Sequence, residues 1–157
     1  MILQLKQIFE GQKQLLDFDA EISLETLAEL EPYDSFAAPV AAKGSVKVRA
    51  GVVTLDMTVT ASLEQICDRC TKAFVREYRF EVSHTLVTAL DNEDDEGYEY
   101  DDYVVCPDKT LDVSELALTD MKLGLPTKIL CKEDCKGLCP VCGKDLNEGA
   151  CEHSESL

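Results

Sequence analysis

Basic residues are scarce in this chain: 15 Lys and Arg stand against 31 Asp and Glu, a formal net charge of -16 over 157 residues. Sequence-independent binding to bare nucleic acid draws on clustered cations, so the shortage argues against it and favours basic partners. No apolar run approaches the length that spans a bilayer, and no membrane role is expected. The opening "MILQLKQIFEGQKQLL" lacks a basic flank, a continuous apolar segment and a small-residue cleavage site, which points to the cytoplasm. A Gly-rich phosphate loop, an H-E-x-x-H pair and a nucleophile elbow are missing too, and internal repeats at solenoid periods are absent. The acidic pairs mean little in so acidic a chain. The sequence therefore offers no persuasive active site, and no small-molecule substrate is expected.

Eight cysteines are present, and in a reducing compartment clustered thiols are metal ligands or redox groups more often than structural disulfides. The composition, 45% apolar and 29% charged, is that of a globular protein with one main domain. Its first forty residues signal weakly: "ILQLKQIF" alternates apolar and polar side chains, and "ISLETLAEL" before Pro32 suits a short helix with Leu24, Leu27 and Leu30 on one face. From Lys43 a period of two sets in. Val46 and Val48, then Val53, Leu55, Met57, Val59, Ala61 and Leu63, then Phe74, Tyr78, Phe80, Val82 and Leu86, describe antiparallel strands, with Ala50 and Gly51 as a turn.

Residues 91–102, "DNEDDEGYEYDD", hold eight acids and no base and read as a solvated loop. "YVVCPDKT" suits a short strand or extended lead-in, with Cys106 as a small apolar residue. In "LDVSELALTDMKLGLP", Asp112 is the expected N-cap with Glu115 three residues on, Val113, Leu116 and Leu123 lie at helical spacing, and Gly124 and Pro126 end the helix. The expected fold is α+β, a mainly antiparallel β-sheet with a C-terminal helix followed by a small cysteine-rich, zinc-knuckle-like tail. Its divisions are a β-rich core at 1–90, the acidic loop at 91–102, a strand and helix packing on the core at 103–126, and the tail at 127–157.

The tail carries the chemistry. In "CPVCGK", Cys139 and Cys142 are spaced to bind one ion, and Gly143 permits the turn that aims backbone amides at sulfur. Cys131 and Cys135 are the nearest second pair, so the expected zinc ligands are Cys131, Cys135, Cys139 and Cys142. A set of Cys135, Cys139, Cys142 and Cys151 is chemically sensible as well. Cys151 and His153 compete for the third and fourth ligand places or are spare groups on the tail, with His153 read first as a solvated terminal side chain, and His84 is expected to be partly buried and hydrogen-bonded. "CDRC", Cys67 to Cys70, falls between two strands. It is open to three readings: a second knuckle joining the C-terminal cysteines, a structural pair at a turn, or a redox dithiol with Arg69 lowering a thiol pKa. Flanking strands instead of a βαβ unit put the redox reading last.

The strand-borne "CDRC", the acidic central segment, the helix ending "LGLP" and then "CKEDCKGLCPVCGKDLNEGAC" together resemble the YceD-like family of large ribosomal RNA subunit accumulation proteins. The likeness is close over the second half of the chain and rests on strand pattern in the first. It implies a non-enzymatic factor supporting 23S rRNA accumulation and ribosome biogenesis. The family's cysteine motifs fall on Cys67, Cys70, Cys131, Cys135, Cys139, Cys142 and Cys151. Where a further cysteine is expected two residues after Cys151, this chain has His153, itself able to bind zinc. With so acidic a chain, the expected partner is a basic ribosomal or ribosome-assembly protein, and contact with rRNA is direct or indirect. The alternatives are a thiol redox protein using Cys67 and Cys70, or a direct RNA-binding zinc-knuckle protein relying on Lys128, Lys132, Lys136 and Lys144.

Overall fold

The computed structural model describes residues 1–31, 34–90 and 103–153. In chain order the elements are β1 (Ile2–Gln4), α1 (Lys6–Phe9), β2 (Leu15–Ile22), α2 (Leu24–Leu30), β3 (Val40–Arg49), β4 (Val52–Ile66), β5 (Ala73–Val87), β6 (Tyr103–Val105), β7 (Thr110–Asp112) and α3 (Val113–Gly124). The acidic segment 91–102 lies outside the described residues.

The period of two sets the architecture. β3 and β4 form a hairpin around Ala50 and Gly51, whose φ values of 49° and 78° give the left-handed turn that matches strand twist. β4 and β5 pair antiparallel from Val53↔Leu86 to Ile66↔Ala73. β2 borders β3, and β6 runs parallel to the end of β5, so the sheet order is β2-β3-β4-β5-β6. β1 and β7 form a separate two-stranded ribbon. The result is an α+β fold on a mainly antiparallel sheet.

One sheet face is apolar. Phe18, Ala20 and Ile22 of β2, Ala42 and Val46 of β3, the odd positions Val53 to Ala61 of β4, and Leu86 are buried in one cluster. Helix α3 covers them, contributing Val113, Ala117, Leu118 and Met121. Asp112 caps it as expected, its carboxylate accepting from the Ser114 and Glu115 amides at 2.9 and 3.3 Å. Leu123 departs from expectation. It is 81% exposed, because its position lies on the side of the helix opposite the stripe set by Ala117, Leu118 and Met121. In α2, likewise, only Leu27 of the three leucines is buried. The run "ILQLKQIF" is a strand for just three residues before α1 begins, and β7 is an element that the sequence pattern did not disclose.

His84 sits where a partly buried histidine was expected, its Nε2 2.8 Å from Asp120 on α3. Cys106 is buried in the core, where burial pushes its thiol pKa up. The helix also needs Gly124, since a Cβ there would approach the Phe80 ring to 2.7 Å. These contacts fix the end of α3 near the middle of β5, and the tail starts from there. No helix among the described residues is long and apolar enough to cross a membrane.

Candidate metal centre

β4 ends at Ile66 and β5 begins at Ala73, leaving "CDRCTK" to reverse the chain. The Cys67 amide donates to the Lys72 carbonyl at 2.9 Å, the Thr71 amide donates back to the Cys67 carbonyl at 2.9 Å, and Thr71 takes a left-handed φ of 60°. This tight turn buries Cys67 and Cys70 at one end of the sheet.

The tail docks on that turn through its backbone. The Asp68 amide donates to the Ile129 carbonyl at 2.8 Å, and the Ile129 amide donates to the Asp68 carboxylate at 2.7 Å. Arg69 Nη1 donates to the Cys135 carbonyl at 2.8 Å. Arg76 stacks over the Phe74 ring and donates to the Cys131 carbonyl at 3.1 Å. Cys131 and Cys135 are thereby carried against Cys67 and Cys70. Cys67 Sγ lies 3.7 Å from Cys135 Sγ, Cys70 Sγ lies 3.6 Å from Cys131 Sγ, and all four sulfurs lie within 4.8 Å of one another. Tetrahedral zinc with bonds of about 2.3 Å requires sulfurs about 3.8 Å apart. A disulfide requires about 2.05 Å, and no disulfide links any of the eight cysteines. The spacing is that of four donors around one ion.

The thiols of this quartet are tuned unequally. Burial opposes ionisation of Cys67, yet hydrogen bonds from the Cys70, Cys131 and Arg69 backbone outweigh it and bring its pKa down to about 6. Cys135 is lowered chiefly by Asn147, whose Nδ2 donates to its sulfur at 3.4 Å. Cys131 is pushed up to about 12 by burial and by the sulfurs around it. At Cys70 a backbone hydrogen bond from Lys72 works downward, but burial and the neighbouring Cys67 and Cys135 leave it raised. A divalent cation would offset the repulsion that keeps Cys70 and Cys131 from ionising beside Cys67 and Cys135.

The other four candidates form a second group. Cys139, Cys142, Cys151 and His153 present ligand atoms within 4.8 Å of one another. The knuckle around Cys139 and Cys142 closes as its sequence suggests: the Gly143 amide donates to the Cys139 carbonyl at 2.8 Å, with Gly143 at a φ of 73°, and the Cys139 amide donates to the Lys144 carbonyl at 2.8 Å. Hydrogen bonds from the Cys142 and Val141 backbone bring the Cys139 thiol down to about 6. The His153 amide pulls Cys151 down, but burial and the Cys139 and Cys142 sulfurs leave it raised. His153 is not the solvated side chain expected from its place near the end of the chain. It is half-buried, and its Nδ1 is buried with no hydrogen-bond partner among the described residues.

Cys131, Cys135, Cys139 and Cys142, taken together in the sequence as one set, are thus drawn two and two into different groups. The cause lies between Cys135 and Cys139. Gly137 takes a φ of 77° against the Arg69 carbonyl, which a Cβ would approach to 3.1 Å, and Leu138 then bridges to Asp145, which turns Cys139 away from the sheet. The 145–148 segment is fastened independently. Lys72 Nζ lies 2.8 Å from Asp145 and 3.1 Å from Glu148, and this holds the Asp145 carboxyl down at about 2. All eight groups were candidates on sequence. Their arithmetic, seven cysteines outside the core and one histidine, makes two complete tetrahedral sets.

A family model described as "Large ribosomal RNA subunit accumulation protein YceD" matches residues 55–156. The chain belongs to the YceD family. The match begins within β4 and spans all eight candidate ligands, Cys67 to His153. Among similar proteins, YlbN of Bacillus subtilis is 30% identical over 140 residues, 88% of this chain and 79% of its own length. Rv2926c of Mycobacterium tuberculosis and Mb2951c of Mycobacterium bovis are each 37% identical over 90 residues, 57% of this chain. The aligned region covers 42% of those two mycobacterial proteins, less than half their length. No solved structure matches.

Proposed function

We propose that this YceD-family chain is a non-enzymatic factor that supports accumulation of 23S rRNA in ribosome biogenesis, with a zinc ion at Cys67, Cys70, Cys131 and Cys135 holding its tail to the sheet. The family description supports the ribosomal role. The observation that carries the structural part is the quartet, three of its cysteines buried and Cys131 half-buried, with 3.6 and 3.7 Å sulfur pairs. Thiolate sulfur selects zinc among the common divalent ions of the cytoplasm, and a closed four-sulfur site is structural, leaving no open position for substrate.

The same burial weighs against a redox dithiol. A catalytic cysteine has to meet its substrate, whereas Cys67 and Cys70 are only 1% and 2% exposed. The tail instead offers a shaped surface. The acids of residues 91–102 give the chain a charge that attracts a basic ribosomal or assembly protein, and rRNA is reached through that partner. Between residues 121 and 145 five lysines face three acids, too few cations to displace the counterions of a long RNA.

Affinity capture from cells at low salt, with protein and RNA both identified, tests the reading. Capture of ribosomal or assembly proteins, weakened when the acids of 91–102 are replaced by Ser and Gln, is the expected result. Tight binding of the purified chain to naked large-subunit RNA at physiological salt would favour direct RNA recognition. The Cys67→Ser/Cys70→Ser variant separates out the redox alternative, since it is expected to lose bound zinc and tail docking together, and a specific disulfide turnover lost with the zinc content unchanged would contradict that.

A further inference from the structure

We propose that Cys139, Cys142, Cys151 and His153 hold a second zinc ion, loaded independently of the one at the sheet and confined in its structural reach to residues 139–153. It goes beyond the reading above, which uses none of these four residues.

Three observations carry it. First, the donor set is complete: three sulfurs and an imidazole lie within 4.8 Å of one another, and this quartet shares no ligand with the other. Three thiolates and one imidazole are a standard tetrahedral zinc set. Second, one nitrogen of the imidazole is buried without a hydrogen-bond partner among the described residues. Leaving a buried ring nitrogen unsatisfied forfeits its solvation, so such atoms are rare unless an ion or water meets them. His153 Nδ1 is one of them, and it belongs to a side chain whose immediate neighbours are thiols. Third, the segment has no apolar core of its own. Neither hydrophobic cluster includes any residue beyond Cys135, and Val141 is 67% exposed. Its order comes from polar contacts: the Gly143 amide to the Cys139 carbonyl, the Cys139 amide to the Lys144 carbonyl, Lys144 Nζ to the Ala150 carbonyl at 3.0 Å, and Lys72 to Asp145 and Glu148.

The two ions would differ in what they join. The sheet quartet ties together residues about sixty positions apart, such as Cys70 and Cys131, separated by 61. Every ligand of the second comes from a single short loop. Loss of the second ion should loosen the ligand-bearing stretches 139–143 and 150–153, leaving 145–148 held by Lys72 and residues 127–135 docked on Asp68, Arg69 and Arg76.

The test is metal stoichiometry on full-length protein purified without chelator and equilibrated with zinc, repeated with cobalt(II), whose charge-transfer absorption grows with the number of coordinated thiolates. Two ions per chain are expected. Cys142→Ser should keep one, with a four-thiolate cobalt spectrum, and hydrogen exchange should rise within 139–153 alone. His153→Cys should keep two and add a thiolate to the spectrum, which a merely structural histidine would not do. One ion in the unaltered chain, or two retained in Cys142→Ser, would overturn the second site while leaving the first intact. A chain with no ion at all would remove both. If Cys70→Ser folds, it should retain one ion with a three-thiolate spectrum, and two ions there would show that the sites are not as assigned. Should it not fold, the Cys142→Ser count decides.

Discussion

The sheet and its covering helix stay together for a different reason from the cysteine tail. The body buries a continuous apolar cluster from Leu3 to Met121, with Leu55, Val59, Val46 and Met121 almost fully removed from water. The tail's own cluster is Cys67, Cys70 and Cys135, flanked by Phe74, Leu130 and Cys131. Apolar burial at about 25 cal/mol per Å² can hold the first and has little to work with in the second. Short segments without a core depend on metals or disulfides, and here the donor geometry points to metal. The contrast says that the two regions should fail separately.

Removing zinc with a strong chelator should have the largest effect. Structural zinc in small modules is worth on the order of 10 kcal/mol of apparent binding free energy. Residues 127–153 should lose hydrogen-exchange protection while β3, β4 and β5 keep theirs. A body that melts together with the tail would break the comparison.

Leu55→Ala is the converse. Leu55 is fully buried near the start of β4, opposite Val46 and His84. Truncation there should cost about 2–5 kcal/mol in denaturant unfolding, with metal content unchanged. Loss of zinc from the folded variant would mean that the regions are coupled more tightly than their packing suggests.

Asn147→Ala sharpens the boundary. Asn147 donates to Cys135 Sγ and accepts from the Lys136 amide at 2.9 Å, so it orients a ligand without being one. Such supports are typically worth about 10–100-fold in metal affinity. Competition with a chromophoric chelator should show that loss at one site of the two, with unfolding of the sheet unaffected.

Asp56→Asn should do least. On the solvent face of the sheet, Asp56 accepts from Ser83 at 2.8 Å and pairs with Lys47, and both lower its pKa. A lowered pKa means that the contribution is present above the unfolded value of about 3.8 and is lost as pH falls through the folded value. Since the pair is half-exposed and screened, the variant should lose about 0.2–1 kcal/mol at pH 7, and the difference from the parent chain should close below pH 4 in an acid titration of stability.

Much of the body was legible along the chain because its rules are local. Alternation marks β3, β4 and β5, Asp112 and Glu115 mark the start of α3, and the Ala50-Gly51 turn fixes the hairpin register. Where the rule is not local, the reading weakened. Leu123 has helical spacing from Leu116 but points to water, because the face that α3 buries depends on where the sheet lies. β7 exists only because β1, more than a hundred residues earlier, supplies its partner.

The same division runs through the cysteines. Sequence by itself determined that Cys139, Cys142 and Gly143 make a knuckle, since that geometry is closed by backbone bonds between residues four and five positions apart. It also determined that eight potential ligands are present. Which of them meet was decided by tertiary structure alone. Cys131 and Cys135 lie nearer in sequence to Cys139 than to Cys70, yet the antiparallel register of β4 and β5 puts the "CDRC" turn where the chain leaving α3 arrives, and Asp68, Arg69 and Arg76 then grip the tail backbone there. Gly137 sends the chain away afterwards, and His153 is brought in beside Cys139 by the loop that Lys144 and Ala150 close. Spacing along a chain limits which ligands can share an ion within one turn, but between segments the choice belongs to the backbone hydrogen bonds that dock them.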